Sequence, residues 1–230
     1  MQTWLIDNAP WLIGTVIVSL VCYAAASLIY PIVFPTILTF PWEEPTAQSE
    51  ACVIMAGSFN PPHKGHFAML QYLARRHSRV VCVVGFNPNK HYAVTPDQRA
   101  LLLRTMLANH PNLQVQVVEG YIWRFAKRRG CQIFYRGIRS WGKDGSDERA
   151  LQILNTWGPL LLGPTWPLPT IYLEGDPQYS HISSSLIRNL IRDARSMSEA
   201  RSEVTQLVPE SIVDQVIEYY SVKVEGYKES

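Results

Sequence analysis

This sequence predicts a doubly wound α/β fold, with a mostly parallel sheet of about five strands and a single transmembrane helix in front of it. Three observations point that way. From residue 51 onward, short apolar runs alternate with helical segments, the pattern of strands joined by covering helices. Those runs lack strict polar alternation, as strands buried on both faces do. Ahead of them, residues 11–30 are apolar apart from Thr15, Ser19, Ser27 and two tyrosines. Twenty helical residues rise about 30 Å, the thickness of a bilayer's hydrocarbon core.

Charge divides the chain at the same place. Of its 230 residues 47% are hydrophobic and 17% charged, which excludes a disordered or fibrous protein. All 21 Lys and Arg lie at or after Lys64, and the first 50 residues carry only Asp7, Glu43, Glu44 and Glu50. The front segment is therefore acidic and the remainder basic. A secretory signal needs a positive start and a mitochondrial presequence needs arginines, so neither fits. The positive-inside rule places the large domain in the cytosol. Tyr30 and Trp42 fall where interfacial aromatics are expected, and Pro31 and Pro35 disfavour one straight helix running to Phe40. The expected organisation is an anchor over 1–40 crossing the membrane through 11–30, a linker over 41–50 and a domain over 51–230. Cys52, Cys82 and Cys131 sit in or beside strand-like runs without C-x-x-C spacing, and so read as buried free thiols.

Within the domain, 51–56 reads as the first strand and 65–77 as a helix with Phe67, Leu70 and Leu73 inward. A second strand follows over 79–86. Thr95, Pro96 and Gln98 form a capping box with proline at the first helical position, opening a helix to about Asn109. Then come a strand over 113–118, a helix over 121–129 stopped by Gly130, a strand over 131–135, a helix over 146–156 and a strand over 170–173. A short helix starts at serines 183–185, and Pro209 opens the last one. The stretch 157–169, apolar and rich in Gly, Pro and Trp, reads as a packed insertion, with a membrane-facing loop as the alternative.

In such folds ligands bind beyond the carboxyl ends of the strands, and four loops there carry chemistry. The first is Gly57-Ser58-Phe59-Asn60-Pro61-Pro62-His63-Lys64-Gly65-His66. Its glycine lets backbone approach a phosphate, the helix start supplies free N–H groups, and two imidazoles three residues apart reach one anion. The second holds Asn87-Pro88-Asn89-Lys90. The third, Arg136-Gly137-Ile138-Arg139, offers two guanidiniums to phosphate oxygens. The fourth, Ile182-Ser183-Ser184-Ser185-Leu186-Ile187-Arg188, has more hydroxyls than a helix cap needs. Basic clusters at 75–79 and 127–129 read as helix ends, and no nucleic-acid-binding motif is present, so nucleic acid is not an expected partner.

The His-x-Gly-His of the first loop resembles the signature of the nucleotidylyltransferase superfamily. The four loops together resemble the phosphopantetheine adenylyltransferase family over about residues 51–220. That resemblance implies a Rossmann-like fold and transfer of AMP from ATP to 4′-phosphopantetheine, with Mg²⁺ held mainly through the ATP phosphates. It implies His66 and Lys90 at the transferring phosphate, with ATP held by Gly57, Ser58, Phe59, His63, His66, Gly137, Arg139, Glu148, Ser183, Ser184 and Ser185. The acceptor would meet Ser58, Lys90, Tyr121, Ile122 and Arg136, and no residue is expected as a metal ligand. Asp147 departs from a usual aromatic, and one extra residue precedes Glu148. Phe59-Asn60-Pro61-Pro62 is closer to the nicotinate and nicotinamide mononucleotide adenylyltransferases, the alternative enzyme reading. A membrane-tethered nucleotide sensor without catalysis is the other alternative, and a homo-oligomer is left open.

Overall fold

A computed structural model describes residues 2–85 and 92–221, with side chains from Trp11 onward. Six strands form one parallel sheet: β1 (Thr36–Leu38), β2 (Ser49–Gly57), β3 (His77–Gly85), β4 (Leu113–Val118), β5 (Ile133–Ile138) and β6 (Thr170–Glu174). Their spatial order is β1-β6-β5-β2-β3-β4. From β2 the chain winds outward through α2 (Lys64–Arg76) to β3, and through α3 (Pro96–Met106) to β4. It then returns through α4 (Ile122–Arg128) to β5 on the other side of β2, and through α5 (Trp141–Leu162) to β6. The strand order therefore reverses between β2 and β5, where such sheets open a ligand crevice.

Strand β2 shows why the sheet is covered on both faces. Val53 and Met55 enter one core with Leu70, Leu73 and Val204, while Cys52, Ile54 and Ala56 enter a second with Trp123 and Phe134. Alternate residues of one strand point to opposite faces, and each face has its own apolar cover. Thr95 caps α3 as its spacing predicted, accepting from Gln98 N at 3.2 Å while Gln98 Oε1 accepts from Thr95 N at 3.0 Å. Three helices close the domain: α6 (Ser184–Asp193), α7 (Met197–Leu207) and α8 (Val213–Ser221).

Several elements differ from the sequence reading. The sixth strand, β1, lies inside the stretch assigned to the anchor, and it pairs with β6 from Thr36↔Ile171 to Leu38↔Leu173. Ahead of it, α1 (Gln2–Val33) continues through Pro31. A proline there forfeits one backbone bond, a loss the rest of the helix sustains, and the helix stops before Pro35. Trp42 is docked on the domain, its ring 4.9 Å from that of Tyr72 and its Nε1 donating to Glu174 O at 3.0 Å. The linker is tied down too: Gln48 Nε2 donates to Ala74 O and His77 O.

Strand β5 runs three residues further than expected, so Arg136, Gly137 and Ile138 pair with β6 and do not form a loop. Helix α5 takes up residues 157–162 of the expected loop, with Pro159 inside it. Gly158 and Gly163 permit that path, because Trp123 of α4 lies where side chains at either position would stand. Arg79 lies in β3 and not at a helix end. Helix α7 was not anticipated, although Ser196 caps it by accepting from Glu199 N. Cys52, Cys82 and Cys131 are buried and free, as expected.

Candidate active site

The turn after β2 is built by strain and bracing. Phe59 has φ 44° and is buried, a left-handed conformation that a bulky residue keeps only when its surroundings hold it. Three helices supply the hold. Arg99 of α3 donates through Nη1 to Ser58 O at 2.5 Å, and Arg188 of α6 through Nη1 to Asn60 O at 2.5 Å. Tyr220 of α8 donates to Asn60 Oδ1 at 2.5 Å, and Ser184 Oγ to Pro61 O at 2.8 Å. Two cations thus face the carbonyls of a turn whose other side is open to solvent at Ser58.

Beyond the turn α2 begins, with His63 at its N-cap making no side-chain cap bond. The His63 and His66 rings lie 3.8 Å apart between centroids and 31° from parallel, with Phe59 edge-on to His66 at 5.0 Å. Burial pushes His63 down to about 4, and burial together with the neighbouring His63 holds His66 well below the usual range. Both rings are thus neutral at pH 7, and the Nδ1 of each is buried without a hydrogen-bond partner among the described residues. A pair of unsatisfied imidazoles at a helix N-terminus is a latent anion site, because a bound phosphate would favour their charged forms. Lys64, between them in sequence, points away and donates to Thr205 O and Gln206 O at the end of α7.

The opposite wall comes from β5 and α5. Arg136 donates through Nε and Nη2 to the two carboxylate oxygens of Glu148 at 2.9 and 2.7 Å, and through Nη1 to Ala56 O at 2.7 Å. Arg139 is held by Asp144, which accepts from its backbone N at 2.7 Å and from its guanidinium. Two carboxylates one turn apart on α5 therefore each hold one arginine. The third wall is the start of α6, where Ser183 Oγ accepts from Leu186 N at 3.1 Å as an N-cap.

These walls enclose a cavity of about 430 Å³ at the carboxyl ends of β2 and β5. It is lined by Gly57, Ser58, Phe59, His63 and His66 from the first loop, by Arg136, Gly137, Arg139 and Glu148, and by Ser183 and Ser184. The sequence brought all of these forward. Ser185 does not line it; its hydroxyl accepts from Arg188 Nη2 at 3.0 Å. Tyr121 and Ile122 are not in its lining either: Ile122 packs against Gly85, and Tyr121 lies beside Trp123. Lys90 lies outside the described residues.

A family model of the cytidylyltransferase-like group matches residues 54–190. The chain belongs to the cytidylyltransferase-like family. Among curated relatives, the phosphopantetheine adenylyltransferase of Kocuria rhizophila is 32% identical over 161 residues, 70% of this chain and 94% of the relative. That of Rubrobacter xylanophilus is 28% identical over 168 residues, 73% of this chain and 94% of the relative. Among solved structures, the fold resembles Thermotoga maritima TmcAL bound with alpha-thio ATP, at TM-score 0.52 and 13% identity, covering 73% of this chain and 55% of that one. It also resembles Plasmodium falciparum nicotinic acid mononucleotide adenylyltransferase complexed with NaAD, at TM-score 0.50 and 13% identity, covering 76% and 100%. At that identity the structural likeness speaks for the fold alone.

The match to the cytidylyltransferase-like family runs from within β2 through most of α6. Tyr220 lies outside it, yet reaches the first loop. Sequence reasoning missed Tyr220, Asp144 and Arg99. For Arg99 a signal existed: it sits among Ala100, Leu102 and Leu103 on the buried side of α3, where a cation needs a reason to be.

Proposed function

We propose that the protein transfers the adenylyl group of ATP to the phosphate of 4′-phosphopantetheine, releasing pyrophosphate and forming 3′-dephospho-coenzyme A. The observation that carries this reading is the stacked His63–His66 pair under the braced turn, facing Arg136 and Arg139 across one cavity. Relatives named phosphopantetheine adenylyltransferase, matched over 94% of their length, support the choice of acceptor.

The acceptor phosphate is already anionic, so attack on the α-phosphorus needs no general base. A P–O bond forms to the acceptor as the bond to the bridging oxygen breaks, and the electron pair leaves with pyrophosphate. The chain's part is to position the reactants and stabilise developing charge. In this reading Gly57, Ser58 and the start of α2 receive phosphate oxygens, and His66, with Lys90 as the resemblance implies, donates to the transferring group. Arg136, kept in place by Glu148, faces the acceptor phosphate, and Arg139, Ser183 and Ser184 hold ATP. The resemblance implies Mg²⁺ carried mainly on the triphosphate. Mg²⁺ bound there supplies charge neutralisation.

The Phe59-Asn60-Pro61-Pro62 turn keeps transfer to nicotinate mononucleotide as a second reading. Incubating the full chain with ATP and each acceptor, and identifying the product by mass, decides between them. Dephospho-coenzyme A is the expected product; a dinucleotide made only from the pyridine substrate would overturn the first reading.

We also infer that α1 anchors the protein in a membrane, with the domain, β1 included, on the cytosolic side. Support comes from α1: Trp11–Val33 holds no charged residue, and its most apolar 18-residue stretch has a mean hydropathy of 2.3 and is unburied. Resistance of the full chain to carbonate extraction is the expected result.

A further inference from the structure

The second half of α5 is built inside out for a helix at a water-facing surface. Its domain side carries Gln152 and Thr156, both buried, and Gln152 Oε1 accepts from Tyr172 at 3.1 Å. Its outer side carries Leu154, Trp157 and Leu161, of which Leu161 is 75% exposed, and the loop that follows exposes Trp166. Between Arg149 and Glu174 the chain has no charged residue. An outer helix face normally holds the charges, and contiguous exposed apolar surface marks an interaction site.

Two observations identify the occupant. Helix α1 contacts α5, and its shielded residues Ala24, Ser27, Leu28, Pro31 and Ile32 fall at helical spacing in its last third. The apolar face of α5 thus continues the exposed apolar surface of α1. At its edge lies α4, which packs on α5 and carries Arg124, Lys127 and Arg128; Arg124 Nη2 donates to Leu162 O at 2.8 Å. Exposed tryptophans and leucines rimmed by cations match the boundary between acyl chains and anionic headgroups.

We propose that the C-terminal half of α5 and the loop at 163–168 form a second bilayer-contact surface, which seats the domain against anionic lipid beside α1. This rests on the reading that α1 spans a membrane. Because the first half of α5 carries Asp144 and Glu148, one helix runs from the cavity wall to the lipid.

The test uses the full chain in vesicles of phosphatidylcholine and phosphatidylglycerol, in a Cys22→Ser background that leaves only buried thiols. An environment-sensitive fluorophore is attached at Leu161→Cys, Trp166→Cys, Val18→Cys or the remote, exposed Arg192→Cys. Labels at 161 and 166 should lose fluorescence severalfold to nitroxide lipids labelled near the headgroup, and the label at 18 to lipids labelled deep in the chain. The label at 192 should lose none. Labels at 161 and 166 open to aqueous iodide, with 18 still quenched, would overturn the proposal while leaving the anchor standing. An unquenched label at 18 would overturn the anchor itself. Labels at 161 and 166 shielded from both iodide and nitroxide would mean that a second copy covers the face, which also overturns lipid contact.

Discussion

The guanidinium of Arg136 and the carboxylate of Glu148 meet in a bidentate pair, at 2.7 and 2.9 Å, on one wall of the cavity. Glu148 is nearly buried and Arg136 mostly so. Such a pair fixes the plane of the guanidinium before any ligand arrives, and leaves donor capacity for one. The resemblance implied Glu148 as an ATP contact; the geometry adds the role of holding Arg136. Glu148→Ala should lower the free energy of unfolding by about 2 kcal/mol, the scale of a hydrogen bond to a charged group. Urea unfolding measures this, and the KM for phosphopantetheine should rise with it.

Asp144 competes for the guanidinium that is proposed to hold ATP. Asp144→Asn removes the competing charge but keeps a hydrogen-bonding side chain, so the KM for ATP should fall several-fold with kcat little changed. An increase in that KM would show that the carboxylate orients Arg139 and does not compete with ATP.

His66 bears the transition-state charge in this mechanism. Removing one preorganised donor costs about 10² to 10³ in turnover. His66→Ala should lose that much in kcat while the protein stays folded, as circular dichroism would check.

Acid should destabilise the fold in a defined window. His63 and His77 are pushed down to about 4 by burial, with Arg76 adding to the effect at His77, and His66 is also held low. In the unfolded chain these residues take up protons near pH 6.5, whereas in the folded chain His63 and His77 do not until about pH 4. The unfolded state binds more protons between those values, so stability rises with pH there and is lost as pH falls from about 6.5 toward 4. The urea midpoint should drop between pH 7 and pH 5, and the drop should shrink in His77→Gln.

Legibility in the sequence tracked the range of the interactions. The capping box at Thr95 and Gln98, strand β4 and the buried cysteines follow from local spacing and were readable. So was most of the cavity wall, because its residues sit in short motifs at strand ends. What was missed depends on distant partners. Strand β1 is three residues long and exists because β6 offers it an edge. Trp42 looked like an interfacial aromatic until Tyr72 appeared beneath it. The three serines at 183–185 look alike in sequence but divide into a cap, a brace for Pro61 and a partner for Arg188.

Tyr220 couples the last helix to the first loop through its bond to Asn60 Oδ1. Tyr220→Phe should cost about 1 kcal/mol of stability, the usual net worth of one hydrogen bond. Turnover should fall more than that loss alone would suggest, because the strained turn at Phe59 loses one of its braces. Comparing kcat at a temperature where both proteins are fully folded separates the two effects.

The central claim is that this cavity moves an adenylyl group to a pantetheine phosphate. Its most direct test is pyrophosphate release by the purified full chain from Mg·ATP, with phosphopantetheine and nicotinate mononucleotide offered separately. Release that depends on phosphopantetheine and disappears in His66→Ala is the predicted result. Release with the mononucleotide alone, or ATP binding without release from either acceptor, would contradict it.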